Sequence, residues 1–179
     1  MTTEVPRIKR IVLTGAESTG KSTLAKSLSE HYRAPWSKEF AREYVHSVGR
    51  DLLAKDIEPI ATGQLALEDA AAKKAQGIVI HDTNIVSTIL YADYYFGEAL
   101  DWANAIVPKR GYSLYLLCYP DIPWVADPGQ RASSNARTSL HQLFTARMKK
   151  YNLPYQKISG SPANRFKQAI QAIDCCSVT

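Results

Sequence analysis

Short apolar runs, each bounded by turn residues, alternate along the chain with stretches whose apolar positions recur at helical spacing. Arg10-Ile-Val-Leu-Thr14 is nearly unbroken in its hydrophobicity and too short for an amphipathic helix, so it reads as a buried strand. Thr23 to Glu30 carries Leu24 and Leu28 four residues apart and reads as the helix that follows. Ala34 to Phe40 can form a short second strand, feeding a helical Ala41–Val48 that stops at Gly49. A long Ala-rich helix is expected from about Ile57 to Gln76, with Gly77 in the position of a C-cap. Ile78-Val-Ile-His-Asp82 reads as a second buried strand, and Ile85 to Phe96 as an aromatic-rich helix ended by Gly97. Leu114 to Tyr119 is a strand closed by Pro120. Leu140–Asn152 is a helix, Tyr155–Ser159 a last strand and Ala163–Ile173 a last helix. Strands alternating with helices imply a parallel sheet covered on both faces, here five-stranded.

The junction between the first strand and its helix carries the chemistry. Gly15-Ala-Glu-Ser-Thr-Gly-Lys-Ser22 fits the phosphate-loop pattern GxxxxGK[ST], and it lies in the required strand–loop–helix context. Gly15 and Gly20 let the backbone curl so that successive N–H groups, through Glu17, Ser18 and Thr19, face one anion. Lys21 can reach the outer phosphates and the Ser22 hydroxyl can ligate Mg²⁺, with Thr23 completing the first helical turn. The expected architecture is a P-loop NTPase of the nucleoside and nucleotide kinase type, forming one domain over residues 1–179. Its ligands would be ATP and Mg²⁺.

Asp82 ends a neighbouring strand, where a phosphate loop needs a carboxylate to hold Mg²⁺ or its waters. A strand-ending aspartate is otherwise a cap or turn residue, and Asn84 is the better candidate for capping the next helix. Glu39, Arg42 and Glu43 follow the short second strand, and strand ends gather at one edge of a parallel sheet. A carboxylate there can take a proton from a substrate hydroxyl and an arginine can hold phosphate; a solvated helical Arg–Glu pair is the competing reading. The Pro-, Gly- and Asp-containing stretch through Trp124 and Asp127 to Arg131, with Arg137 six residues on, has the composition of a lid over about residues 121–138. Arginines brought in by a closing segment would neutralise charge on a moving phosphate; the alternative is a plain surface loop. The cluster Tyr91, Tyr94, Tyr95 and Phe96 can stack on a base, though helical spacing favours a core role.

Composition narrows the setting. The 179 residues are 45% hydrophobic and 22% charged, with a formal charge of +5. That charge favours polyanionic ligands, but the basic residues are scattered, so nucleic acid is possible without being indicated. Three cysteines form no CxxC framework, and no stretch has membrane-spanning length. A reduced, cytoplasmic and soluble protein is expected, with no membrane partner. The four histidines are too dispersed for a zinc site.

Together these motifs resemble the ribosylnicotinamide kinase domain of the NadR family of bacterial NAD-biosynthesis regulators, over nearly the whole chain from about Arg10. The resemblance rests on the phosphate loop with its unusual Glu17, Glu39-Phe-Ala-Arg-Glu43, Ile60-Ala-Thr-Gly-Gln64 and Asp82-Thr83. It extends to Trp124-Val-Ala-Asp127 with Arg131, Arg137, and Asn164-Arg-Phe166. It implies transfer of the ATP γ-phosphate to the 5′-hydroxyl of nicotinamide riboside, giving nicotinamide mononucleotide. Lys21, Glu39, Asp82, Arg131 and Arg137 would be catalytic, and Arg165 would join the loop in binding ATP. Trp36, Glu39, Arg42, Glu43, Asp82 and Asp127 would meet the substrate.

Three features depart from the family. The chain has no room for the adenylyltransferase and DNA-binding modules, so the kinase activity alone is expected. The family's second aspartate in Asp-Thr-Asp is Asn84 here. The aromatics that sandwich the nicotinamide ring fall, without gaps, on Lys38 and Ala70, leaving Trp36 as the expected stacking face. A kinase of another nucleoside or of a nucleic-acid end, and a nucleotide-gated regulatory ATPase, are the alternative readings.

Overall fold

The computed structural model describes residues 8–125 and 135–176. Five strands, β1 (Lys9–Thr14), β2 (Trp36–Ser37), β3 (Ile78–Asp82), β4 (Leu114–Cys118) and β5 (Tyr155–Ile158), form one sheet in the order β2-β3-β1-β4-β5. Every pairing is parallel. The helices are α1 (Lys21–Tyr32), α2 (Phe40–Val48), α3 (Ile57–Lys73), α4 (Ile85–Phe96), α5 (Asp101–Ile106), α6 (Ala136–Lys150) and α7 (Pro162–Cys175). The five-stranded P-loop NTPase architecture is the one the alternation of apolar runs implied.

Alternation along each strand splits the core into two layers. Ile11, Leu13, Leu116 and Cys118 face α1 and α7, packing on Leu24, Leu28, Ala169 and Ile173. Val12 and Tyr115 face the other side, against Ile57, Ile85, Ile89 and Met148. On that same side Leu117 packs with Leu90, Leu140 and Phe144. β1 is buried on both faces, which is why its sequence reads as a continuous run.

Several elements differ from the sequence expectation: α3 ends at Lys73 and α6 begins at Ala136, four residues before Leu140. β2 pairs over only two residues because Glu39 already serves as N-cap of α2. α5 was not legible, being six residues long with Ala103 alone fully buried. α7 begins at Pro162, with the Ser161 hydroxyl accepting from the Asn164 N–H, so a proline opens the helix and a serine caps it.

The motif Ile60-Ala-Thr-Gly-Gln64 has a packing explanation. A Cβ on Gly63 would fall 2.2 Å from the Phe40 ring, so the bare glycine lets α2 lie against α3. At the next residue, Gln64 Oε1 accepts the Phe40 N–H at 3.0 Å and closes the start of α2. The other end of α2 is tied to α3 by Asp56, which accepts from Tyr44, from Arg50 at 2.7 and 3.0 Å, and from the Leu53 N–H.

Gly63→Ala tests this contact. Overpacking of about 1–3 kcal/mol should outweigh the roughly 1 kcal/mol gained in helix propensity, giving a lower denaturant midpoint. A raised midpoint would mean that the Phe40 ring swings clear.

Candidate active site

The loop Gly15–Ser22 wraps the end of β1 and enters α1. Gly15 has φ +130°, and a Cβ there would lie 2.7 Å from the Cys118 carbonyl oxygen, so only glycine fits between β1 and β4. Gly20, at φ +78°, is the N-cap of α1, and no side chain caps that terminus. The opening N–H groups of α1 are thus left for an anion. Ala16 O accepts both Thr19 Oγ1 at 2.8 Å and Lys21 Nζ at 2.7 Å, holding the lysine folded across the loop.

Register places the metal-site candidate. Leu13 pairs with Asp82, so the β3 carboxylate stands beside the loop. Asp82 is 3% exposed and lies near the Ser22 hydroxyl, and its Oδ1 has no hydrogen-bond partner. Burial first, then the negative Glu39, pushes its pKa up to about 6, against the opposing pull of Ser22, Lys21 and Arg42. Next to it Thr83 is held at φ +66°, an uncommon conformation for a β-branched residue. Asn84 turns away into the protein: Oδ1 accepts the Val86 N–H at 3.2 Å and Nδ2 donates to the Tyr115 hydroxyl at 2.8 Å. The buried Glu68 takes the Ile85 N–H at 3.0 Å, so the turn after Asp82 is fixed from both sides.

A Mg²⁺ ion fits this donor set. The Ser22 hydroxyl and the partnerless carboxylate oxygen of Asp82 are hard oxygen ligands, and Mg²⁺ typically takes one or two carboxylates and completes its shell with phosphates and water. Among the described residues no cluster of three or more His, Cys, Asp or Glu forms a dedicated metal cage.

In front of the loop opens a cleft of about 460 Å³, within the range of small-molecule sites. One wall is the loop from Glu17 to Thr23. A second is α2 and α3 with Glu39, Arg42, Ile60 and Gln64; the third is α4 with Ser87, Tyr91 and Tyr95. Glu39 and Arg42 form an ion pair at 3.5 Å. Tyr91 and Tyr95 stack at 5.8 Å between centroids, and the Tyr95 hydroxyl donates to Glu17 at 3.4 Å.

The structure brings the loop residues, Glu39 and Arg42 together around this cleft, with Asp82 directly behind Ser22. Other expected residues lie elsewhere. Trp36 packs against the α1–α7 core layer and does not line the cleft, so it is not placed to stack on a bound ring. Glu43, Lys38 and Ala70 are exposed. Asp127 and Arg131 lie outside the described residues. Arg137 and Arg165 do not line the cleft either; both bind carbonyls around the loop. Arg137 donates to Pro120 O at 2.6 Å, Ile122 O at 2.8 Å and Ser18 O at 3.4 Å. Arg165 donates to Thr19 O at 2.9 Å, Tyr119 O at 2.7 Å and Gly160 O at 2.8 Å, and it pairs with Asp121.

The residues that sequence reasoning undervalued are Gln64, Ser87, Tyr91 and Tyr95. Helical spacing favours a core role for Tyr91 and Tyr95; Tyr91 does pack against the Leu90–Leu140–Phe144 cluster, and both rings also form a wall of the cleft. The signal was present: 87, 91 and 95 recur every four residues on the helix that begins just after Asp82.

A phosphate loop between β1 and α1, an adjacent strand ending in a carboxylate and the order β2-β3-β1-β4-β5 define a P-loop NTPase. Residues 10–165 match the family described as an AAA domain, and the chain belongs to it. It is also NadR-like. It is 28% identical over 173 residues to the trifunctional NAD biosynthesis/regulator proteins NadR of Salmonella typhimurium and of Escherichia coli, covering 93% of this chain and 42% of each relative. A NadR protein in complex with NR superposes with a TM-score of 0.83 at 26% identity, covering 93% of this chain and 51% of that one. Deoxyadenosine kinase from M. mycoides with bound dATP shares the fold, with a TM-score of 0.65 at 14% identity over 93% of this chain and 99% of that chain. The chain spans less than half the length of the curated relatives it matches.

Asp82→Asn should separate stability from turnover. A buried carboxylate with a raised pKa costs folding stability progressively as pH rises from the ordinary aspartate range to about 6, and fully above that. The variant should therefore be more stable than the parent by roughly 2–3 kcal/mol at pH 7–8 and equal to it near pH 3, while losing phosphoryl transfer by orders of magnitude. Thermal unfolding across pH, read beside an ADP-release assay, checks both. Lys21→Ala should weaken ATP binding without unfolding the protein; equal ATP affinity in mutant and parent would remove the loop from the nucleotide site.

Proposed function

We propose that this chain is an ATP-dependent kinase that phosphorylates the 5′-hydroxyl of nicotinamide riboside. The observation that carries the reading is the cleft itself. An acceptor-sized cavity opens against the phosphate loop, and a carboxylate, Glu39, lines it beside an arginine. A nucleotide-gated switch needs the loop and Asp82, but it has no use for an acceptor-sized cleft walled by stacked tyrosines in front of the loop. Similarity to NadR in sequence and in structure supports the choice of substrate. The basic charge is the main support for a nucleic-acid end as acceptor, but among the described residues the cleft lining carries only two basic side chains, Lys21 and Arg42.

In this reading the N–H groups at the start of α1 and Lys21 hold the β- and γ-phosphates. Bound Mg²⁺ would supply neutralisation of charge on the transferring phosphoryl group, held by Ser22 with Asp82 behind it. With Asp82 given to the metal, Glu39 is the cleft carboxylate left to accept the substrate hydroxyl proton, with Arg42 orienting it through their ion pair. The Tyr91–Tyr95 pair supplies an aromatic face, and the carboxylates Glu17 and Glu39 on the same cleft favour a cationic ring. Arg131 and Asp127 would act from the segment beyond Val125.

Purified protein with ATP, Mg²⁺ and a nucleoside panel should convert nicotinamide riboside fastest, followed as ADP and phosphorylated product. Glu39→Gln should lower kcat at least a hundredfold with KM for ATP little changed, since it touches the acceptor and not the nucleotide. Faster turnover of a neutral nucleoside would replace the substrate, and ATP hydrolysis indifferent to every nucleoside would return the reading to a regulatory ATPase.

A further inference from the structure

Two side-chain atoms on the cleft walls are buried with no hydrogen-bond partner: Gln64 Nε2 on α3 and the Tyr91 hydroxyl on α4. Leaving such groups unpaired costs about 1–3 kcal/mol each, so native proteins seldom keep them without a use. The identity of the Gln64 atom is fixed by its neighbour. The Phe40 N–H, a donor, lies 3.0 Å from the other end of the amide, so that end is the oxygen and the free end is the NH₂ group. Gln64 is 2% exposed, and the Phe40 N–H holds its oxygen end in place. Its free end is a donor and nothing else, while a tyrosine hydroxyl both donates and accepts.

A ligand that meets both groups must offer Gln64 an acceptor and can give the tyrosine hydroxyl either a donor or an acceptor, and the edge of a planar amide, a carbonyl oxygen with an N–H beside it, supplies both. We infer that Gln64 Nε2 and the Tyr91 hydroxyl read an amide group on the ring of the acceptor substrate, Gln64 donating to its carbonyl oxygen. The ring carboxamide of a pyridinium riboside and the lactam edge of a neutral nucleoside both present that chemistry. The inference rests on the kinase reading only for where the acceptor sits. It adds which part of the acceptor is recognised and by which residues. Selectivity is the expected consequence. A site built to hydrogen-bond a polar group rejects the analogue lacking it far more strongly than an apolar pocket rejects a change in size.

The test is equilibrium binding by calorimetry, in the presence of AMP-PNP, of nicotinamide riboside, of the same riboside lacking the carboxamide, and of uridine. Parent protein, Gln64→Met and Tyr91→Phe are compared. Parent should prefer nicotinamide riboside over the unsubstituted pyridinium riboside by tenfold or more. Gln64→Met should erase most of that preference by weakening the amide-bearing ligand alone. Tyr91→Phe, which removes one oxygen, should reduce the preference severalfold while the thermal midpoint of the free protein stays level or rises. Gln64→Met also breaks the bond to Phe40, but a purely structural effect would weaken both ribosides equally and leave their ratio unchanged; that result overturns the inference. An unchanged ratio in Tyr91→Phe does the same for the hydroxyl. Uridine losing affinity in step while nicotinamide riboside does not would assign the contact to a lactam. Binding with the expected ratios but no phosphorylation would sink the kinase reading and leave the amide contact standing; turnover with unchanged ratios would do the reverse. Failure of the parent to bind any of the three overturns both.

Discussion

A carboxylate kept almost out of water is the constraint around which this molecule is arranged. Asp82 ends a strand buried on both faces, and one of its oxygens has no partner. Burial and the nearby Glu39 both resist its ionisation, and the fold answers with the Ser22 hydroxyl, the Lys21 ammonium and the Arg42 guanidinium. The residues beyond it allow no relaxation, since Asn84 and Glu68 fix the start of α4 and Thr83 is locked at positive φ. Under the proposed function, a site held this way would be pre-organised for a cation before one arrives, which is where electrostatic catalysis gains its advantage.

The second wall depends on a different economy. Gly63 removes a side chain so that α2 can approach α3, and the same approach lets Gln64 close the N-terminus of α2. Glu39 is the residue at that N-terminus, so its place in the cleft follows from backbone packing between two helices. Asp56, pairing Arg50 and Tyr44, fixes the other end of α2. Packing and polar pairing therefore set the distance between the phosphate loop and the candidate base, and of these supporting residues only Gln64 also lines the cleft.

Arg137 and Arg165 show how one residue type serves two purposes. Positive charge near a phosphate loop suggests direct contact with phosphate, yet each guanidinium spans several backbone carbonyls that border the loop. Each is more than nine-tenths buried. A planar group with five donors is well suited to bracing a turn in which carbonyls crowd together. The loop's shape is thus supported from α6 and α7.

The sequence by itself determined the sheet, the phosphate loop and the carboxylate beside it. Strands buried on both faces must be continuous apolar runs, and a loop that curls around phosphate must hold glycine where a Cβ would strike Cys118. These are local requirements, and local requirements are written in adjacent residues. It was also enough to name Glu39 and Arg42, because strand ends meet at one edge. Which aromatic faces the cleft was not decided there. Trp36 sits on β2 with its ring against the α1 and α7 layer, and Tyr91 and Tyr95 face the cleft because α4 starts from a turn fixed by Glu68, Asn84 and Tyr115. The role of Gln64 depends on Phe40, 24 residues away, and those of Arg137 and Arg165 on carbonyls far off in sequence. Orientation about a helix axis and long-range pairing are set by how elements pack, and no stretch of neighbouring residues encodes that.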